Sequence, residues 1–88
     1  MKIKEGFILQ QVADSNVVVP VGEASATLNG IINLNASGVI LWNLLAAGTD
    51  REKLVQGLTA EYDVSQDKAL QGVDAFLDSL RKIGCLEE

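Results

Sequence analysis

Hydrophobic and polar positions change rhythm part-way along this chain, and the change divides it into two regions. Through residue 34 the pattern is that of strands. Phe7-Ile8-Leu9-Gln10-Gln11-Val12 and Val17-Val18-Val19-Pro20-Val21 flank the polar stretch Ala13-Asp14-Ser15-Asn16. That arrangement predicts a β-hairpin with a four-residue turn. Pro20 cannot donate to a ladder, which puts the end of the second strand at a bulge or an unpaired rim. After the small-residue connector Gly22 to Ala26, a third strand is expected over residues 28–34. Its alternation sets Leu28, Gly30, Ile32 and Leu34 on one face and Asn29, Ile31 and Asn33 on the other.

Beyond Leu34 the period becomes helical. Asn35 is a good N-cap, and Gly48 is the residue type that ends a helix. Between them Val39, Ile40, Leu41, Trp42, Leu44, Leu45, Ala46 and Ala47 point in almost every direction at 100° per residue. A helix apolar all round is a buried one, so the other elements are expected to wrap it. Thr49-Asp50-Arg51-Glu52 reads as a capping box with Thr49 as the cap, opening a second helix striped by Leu54, Val55, Leu58 and Tyr62. Ser65 is the next expected cap. A third helix then runs from about Gln66 to Ile83, with Ala69, Leu70, Val73, Phe76, Leu77, Leu80 and Ile83 on one broad face. Arg81 and Lys82 suit the dipole of its last turn, and Gly84 stops it. Strands first and helices after make an α+β domain spanning residues 1–88: a three-stranded antiparallel β-meander followed by three α-helices. The order also has a winged helix-turn-helix look.

That look raises nucleic-acid binding, and the charge speaks against it. The 88 residues carry a net charge of −5, whereas phosphate-backbone binding draws on clustered Lys and Arg. The would-be recognition helix sets Asp67, Asp74 and Asp78 against Lys68, Arg81 and Lys82, without the basic surplus of a groove reader. Catalysis finds no foothold either. The chain has no His, which removes the commonest general base and metal ligand. The three aspartates fall on the solvent side of the third helix and read as a solvated face. Cys85 is the one cysteine, so no internal disulfide or thiolate cluster is available. It reads as a small core hydrophobe, because a helix C-terminus does not favour a thiolate. No glycine pattern cradles a phosphate. Neither catalytic residue, metal nor cofactor is expected. Residues 24–49 hold no charge, but Asn29, Asn33, Asn35 and Asn43 break the run. No apolar piece approaches the roughly 20 residues of a membrane span. Met1-Lys2-Ile3-Lys4 leads straight into a strand pattern without a signal sequence, so the cytoplasm is the expected compartment.

The third strand is the feature that suggests a function. Edge strands are usually blunted by Lys, Pro or inward-pointing charges. Thr27-Leu28-Asn29-Gly30-Ile31-Ile32-Asn33-Leu34 has none of these, and the last strand of a meander is by default an edge. It suits β-augmentation, in which an extended peptide gains backbone hydrogen bonds. Cover by the third helix or by a second copy of the chain is the alternative reading of the same segment.

In order and spacing, several pieces carry a resemblance. They are Val17-Val18-Val19-Pro20-Val21-Gly22-Glu23, then Ile31-Ile32-Asn33-Leu34-Asn35-Ala36-Ser37-Gly38, Leu41-Trp42-Asn43-Leu44-Leu45, Gly48-Thr49, Phe76-Leu77-Asp78-Ser79-Leu80 and Gly84-Cys85-Leu86. Together they resemble the PqqD family over essentially the whole chain. The most specific piece is Leu34-Asn35-x-x-Gly38 followed by Ile40-Leu41-Trp42. The resemblance implies a non-catalytic winged-helix module that binds the leader of a ribosomally made precursor peptide. Such a recognition element presents the leader to a modifying enzyme, often a radical SAM protein. It also implies that the leader lies as an added strand on the third strand, walled by the third helix. The strand contacts carried over are Asn29, Ile31, Ile32 and Asn33. For the wall, Leu70, Asp74, Leu77 and Arg81 are preferred because they mix apolar grip with charges. Lys68, Gly72, Ala75 and Ser79 form the other flank. A transcriptional regulator or a homodimeric assembly domain is the competing class.

Overall fold

A computed structural model describes residues 1–22 and 32–88. The element order is β1 (Lys2–Ile3), β2 (Phe7–Val12), β3 (Ser15–Pro20), β4 (Ile32–Leu34), α1 (Ala36–Ala47), α2 (Arg51–Glu61), α3 (Gln66–Ile83) and β5 (Leu86–Glu87). The three-stranded antiparallel sheet runs β2-β3-β4, followed by the three helices, so the α+β expectation holds.

The hairpin is tighter than its polar residues suggest. Ser15 pairs with Val12 and Asn16 with Gln11, which leaves Ala13 and Asp14 as a two-residue loop rather than a four-residue turn. Ala13 takes a left-handed φ of 55°, the conformation such short connections require. Pro20 is the last residue of β3, opposite Phe7, and the pairing closes one residue on, with Val21 N–H donating to the Gly6 carbonyl at 2.7 Å.

A second small sheet was not foreseen. β1 pairs antiparallel with β5, Ile3 opposite Leu86, and two-residue strands are too short to show periodicity. This clasp explains a shifted helix start. Thr49 N–H donates to the Met1 carbonyl at 2.9 Å and the Met1 amine donates to the Thr49 carbonyl at 2.9 Å. With its N–H engaged, Thr49 cannot receive the Glu52 carboxylate that completes the expected box. Asp50 caps α2 instead, its Oδ1 accepting from Lys53 N–H at 2.9 Å.

Helix α1 packs against β1, β4 and α2, and α2 packs against α3. Leu41, Trp42 and Leu45 are buried, joined in one core by Val18, Leu34, Leu54, Val55, Leu58, Val73, Leu77 and Leu80. The wrapping of α1 is incomplete. Val39, Ile40 and Leu44 are half-buried, while Ala46 and Ala47 face solvent. Small alanines let the helix be apolar throughout without demanding cover on every side. Cys85 is fully buried in this core, and burial pushes its thiol pKa up.

Leu45 is 0% exposed, so Leu45→Ala should cost about 2–5 kcal/mol through lost transfer energy and a residual cavity. Ala46→Ser, on the open side of α1, should shift stability by less than about 0.5 kcal/mol. Urea denaturation of the two variants checks the difference.

Candidate functional site

The site begins with how little holds β4. Its three residues pair with β3 on one side, Asn16 with Leu34, Val17 with Asn33 and Val18 with Ile32. Among the described residues nothing pairs with its other side, and in their sheet β4 is the rim. Ile32 and Leu34 turn toward the core and Asn33 is exposed. That is the alternation the sequence shows. Asn29 and Ile31, also expected as strand contacts, lie outside the described residues.

The strand passes directly into α1 through the Leu34-Asn35-x-x-Gly38 motif, whose residue types now have reasons. Asn35 Oδ1 accepts from Gly38 N–H and from Ser37 Oγ, each at 2.9 Å. A Cβ on Gly38 would lie 3.3 Å from both Asn35 Oδ1 and Leu34 Cβ. Glycine therefore lets the first helical turn close onto the strand end while the cap is made. The helix leaves the sheet within one residue of the ladder.

Beside β4 a cleft of about 480 Å³ opens, lined by Ile32, Asn33, Leu34, Asn35, Gly38, Phe76, Ser79 and Leu80. It continues along α3 as a hollow bordered by Asn35, Gly38, Leu41, Leu58, Gly72, Ala75, Phe76 and Ser79. The helix flank at this cleft is therefore Gly72, Ala75 and Ser79 with Phe76. The preferred flank lies elsewhere. Leu70 borders a separate depression with Arg51, Glu52 and Val55. Asp74 is held by Arg51 of α2 through two bonds of 2.7 and 2.8 Å. Leu77 is 2% exposed in the core. Arg81 is paired with Asp78 at 2.9 Å and with Glu88 at 2.8 Å. The charges that made this flank attractive are engaged by neighbours on α2, on α3 and at Glu88 just after β5. Ser79 Oγ donates to the Ala75 carbonyl at 3.1 Å, so the wall at the cleft is small, neutral and partly self-satisfied.

Phe76 was read only as a core residue. It is half-buried, packing on the core while lining the cleft. Helical periodicity shows that it faces inward but not that β4 stops short of covering it. The described residues hold no cluster of metal-ligating side chains and no helix long and apolar enough to cross a membrane.

Comparison with known proteins decides the family. Residues 8–86 match coenzyme PQQ synthesis protein D (PqqD). The chain belongs to the PqqD family. Two solved structures share its fold over nearly all of both chains. One is TbiB1 in complex with the TbiA(beta) leader peptide, 26% identical, TM-score 0.79, covering 99% of this chain and 95% of that one. The other is lasso peptide synthetase B1 complexed with the leader peptide, 21% identical, TM-score 0.77, with coverages of 99% and 96%. No curated protein matches significantly.

Two measurements follow from this PqqD-family geometry. Asn35→Ala should cost about 1 kcal/mol by removing the cap of α1, read by denaturant unfolding. The Arg51 hydrogen bond and charge hold the Asp74 pKa below the usual carboxylate range. A depressed carboxylate pKa adds stability that is present above its unfolded value and lost as pH falls through the folded one. Asp74→Asn should therefore lower the melting temperature slightly at neutral pH, with the difference vanishing in acid; thermal melts across pH check it.

Proposed function

We propose that this PqqD-family protein binds the leader of a ribosomally synthesised precursor peptide as an added strand on β4. It then presents the leader to a modifying enzyme, for which a radical SAM protein is the class the family implies. One observation carries the reading: among the described residues β4 is paired on one side only, and it stands beside an open cleft. Strand addition draws its affinity from main-chain hydrogen bonds and its selectivity from side-chain pockets. In this reading the first comes from the side of Ile32–Leu34 away from β3, the second from the cleft between β4 and α3.

The contacts proposed for the leader are Ile32 and Asn33 on the strand, with Gly72, Ala75, Phe76 and Ser79 on the helix. This replaces Leu70, Asp74, Leu77 and Arg81 as the favoured wall. A wall of small residues admits a strand's backbone close to α3, and Phe76 offers an apolar surface to alternate side chains. The likeness to the TbiB1 chain, itself bound to a leader peptide, supports the reading. The protein's part is to hold and orient the peptide; the modification belongs to its partner.

Successive residues of a strand aim their N–H groups to opposite sides. Of Ile32→Pro and Asn33→Pro, one therefore removes a donor facing away from β3. That variant should bind at least tenfold more weakly while keeping its far-ultraviolet circular dichroism. Ala75→Trp, which fills the cleft from an exposed helical position, should weaken binding comparably, whereas Arg51→Ala should not. Titration with the leader encoded beside this gene, followed by fluorescence anisotropy, is the measurement. Full affinity in both folded proline variants contradicts strand addition.

A further inference from the structure

The cleft does not end where β4 ends. A third hollow of about 400 Å³ is lined by Asn35, Ala36, Ser37, Leu58, Tyr62, Val64, Lys68 and Ala69. Asn35 borders all three hollows, while Ser37 and Leu58 border both the second and the third. They form one trough along α3, from Ser79 beside β4 to Lys68 near the helix start. Eleven residues at 1.5 Å each make that stretch about 16 Å long. An extended peptide covers it with about five residues at 3.3 Å each. The three-residue strand β4 accounts for only part of this length.

The far hollow differs in character from the cleft at the strand. Its floor is Leu58 and Ala69, both buried, and its walls are Tyr62 and Val64. These two are among the few large apolar side chains left exposed, at 36% and 39%. Lys68 is the one charged residue of the lining. Among the described residues, none of the ion pairs includes it. Nearby, the first turn of α1 holds no acidic residue, so the positive end of its dipole goes unopposed there. Asp63 and Asp67 are neighbours of Lys68 in sequence, but Lys68 is the charged side chain that borders the apolar hollow.

We infer that the hollow at Leu58, Tyr62, Val64 and Lys68 is a second specificity pocket. It takes a large apolar side chain next to an Asp or Glu, from the leader segment flanking the added strand. The inference rests on the strand-addition reading and deepens it. Apolar burial in the hollow supplies affinity, and the Lys68 ammonium selects the acidic neighbour and fixes the register of the strand. β4 alone cannot fix it, because a short ladder without charges tolerates slippage by two residues.

The test uses a display library of random 14-residue peptides, selected in parallel on wild-type protein and on Val64→Asp and Lys68→Glu. Val64 and Lys68 are exposed or partly so at the start of α3 and its preceding turn, and circular dichroism verifies that each variant is folded. Wild-type protein should enrich peptides with a β-forming segment of three to five residues. At a fixed spacing on one side, they should carry Leu, Ile, Phe or Tyr next to Asp or Glu. With Lys68→Glu the acidic preference should turn basic while the β-forming segment persists. With Val64→Asp the best wild-type peptides should bind at least tenfold more weakly. Peptides with the β-forming segment but the same flanks on all three proteins overturn the second pocket and leave strand addition standing. Selected peptides whose binding survives both proline variants of β4 overturn the two together, as does a library that yields no binder.

Discussion

The junction between β4 and α1 is the constraint on which the rest depends. A strand that runs on for several residues, or a helix that begins after a loop, would leave chain lying over the sheet rim. Here Asn35 caps the helix one residue after the ladder ends, and Gly38 lets the first turn settle against Leu34. The side of β4 away from β3 has no partner among the described residues, and Asn35 at the start of α1 borders each of the hollows beside α3. A substitution as small as a methyl group at residue 38 would press on the cap and on the strand at once.

From that junction the division of labour between the two walls follows. In the proposed complex the β4 wall offers backbone groups, which suit any extended chain and discriminate poorly. The α3 wall offers shape: small at Gly72, Ala75 and Ser79, apolar at Phe76, and charged only at Lys68. A disordered leader gives up conformational entropy when it orders, so main-chain hydrogen bonds alone leave a modest affinity. Selectivity then has to come from side chains along the trough. The opposite flank of α3 carries the Arg51–Asp74 and Arg81–Glu88 pairs, to α2 and to the residue after β5.

Much of the fold was legible in the residues. The caps Asn35 and Ser65, the stops Gly48 and Gly84, and the alternation of Ile32, Asn33 and Leu34 are local signals, and each stands where its chemistry placed it. What escaped was non-local. The β1–β5 clasp joins two dipeptides more than eighty positions apart, and its bonds to Thr49 moved the α2 cap by one residue. The hairpin loop shortened because register, set by the pairing of Leu9 with Val18 and Gln11 with Asn16, outweighed the turn preference of Ser15 and Asn16. The helix flank at the cleft was ambiguous for a related reason. Periodicity ranks the faces of α3 by polarity, but only the position of α2 shows that Asp74 already has a partner. Of the two charges on the preferred flank, Asp74 makes a helix–helix contact.

The central claim is that the side of β4 away from β3 receives a foreign strand. Isotope-filtered NMR on the labelled protein with unlabelled leader addresses it directly, through contacts across the new pairing. The account predicts intermolecular Hα–Hα or amide–Hα cross-peaks to Ile32, Asn33 or Leu34, together with slowed exchange of an outward-facing β4 amide. A saturated complex whose intermolecular cross-peaks avoid β4 altogether, with that amide still exchanging freely, would contradict it.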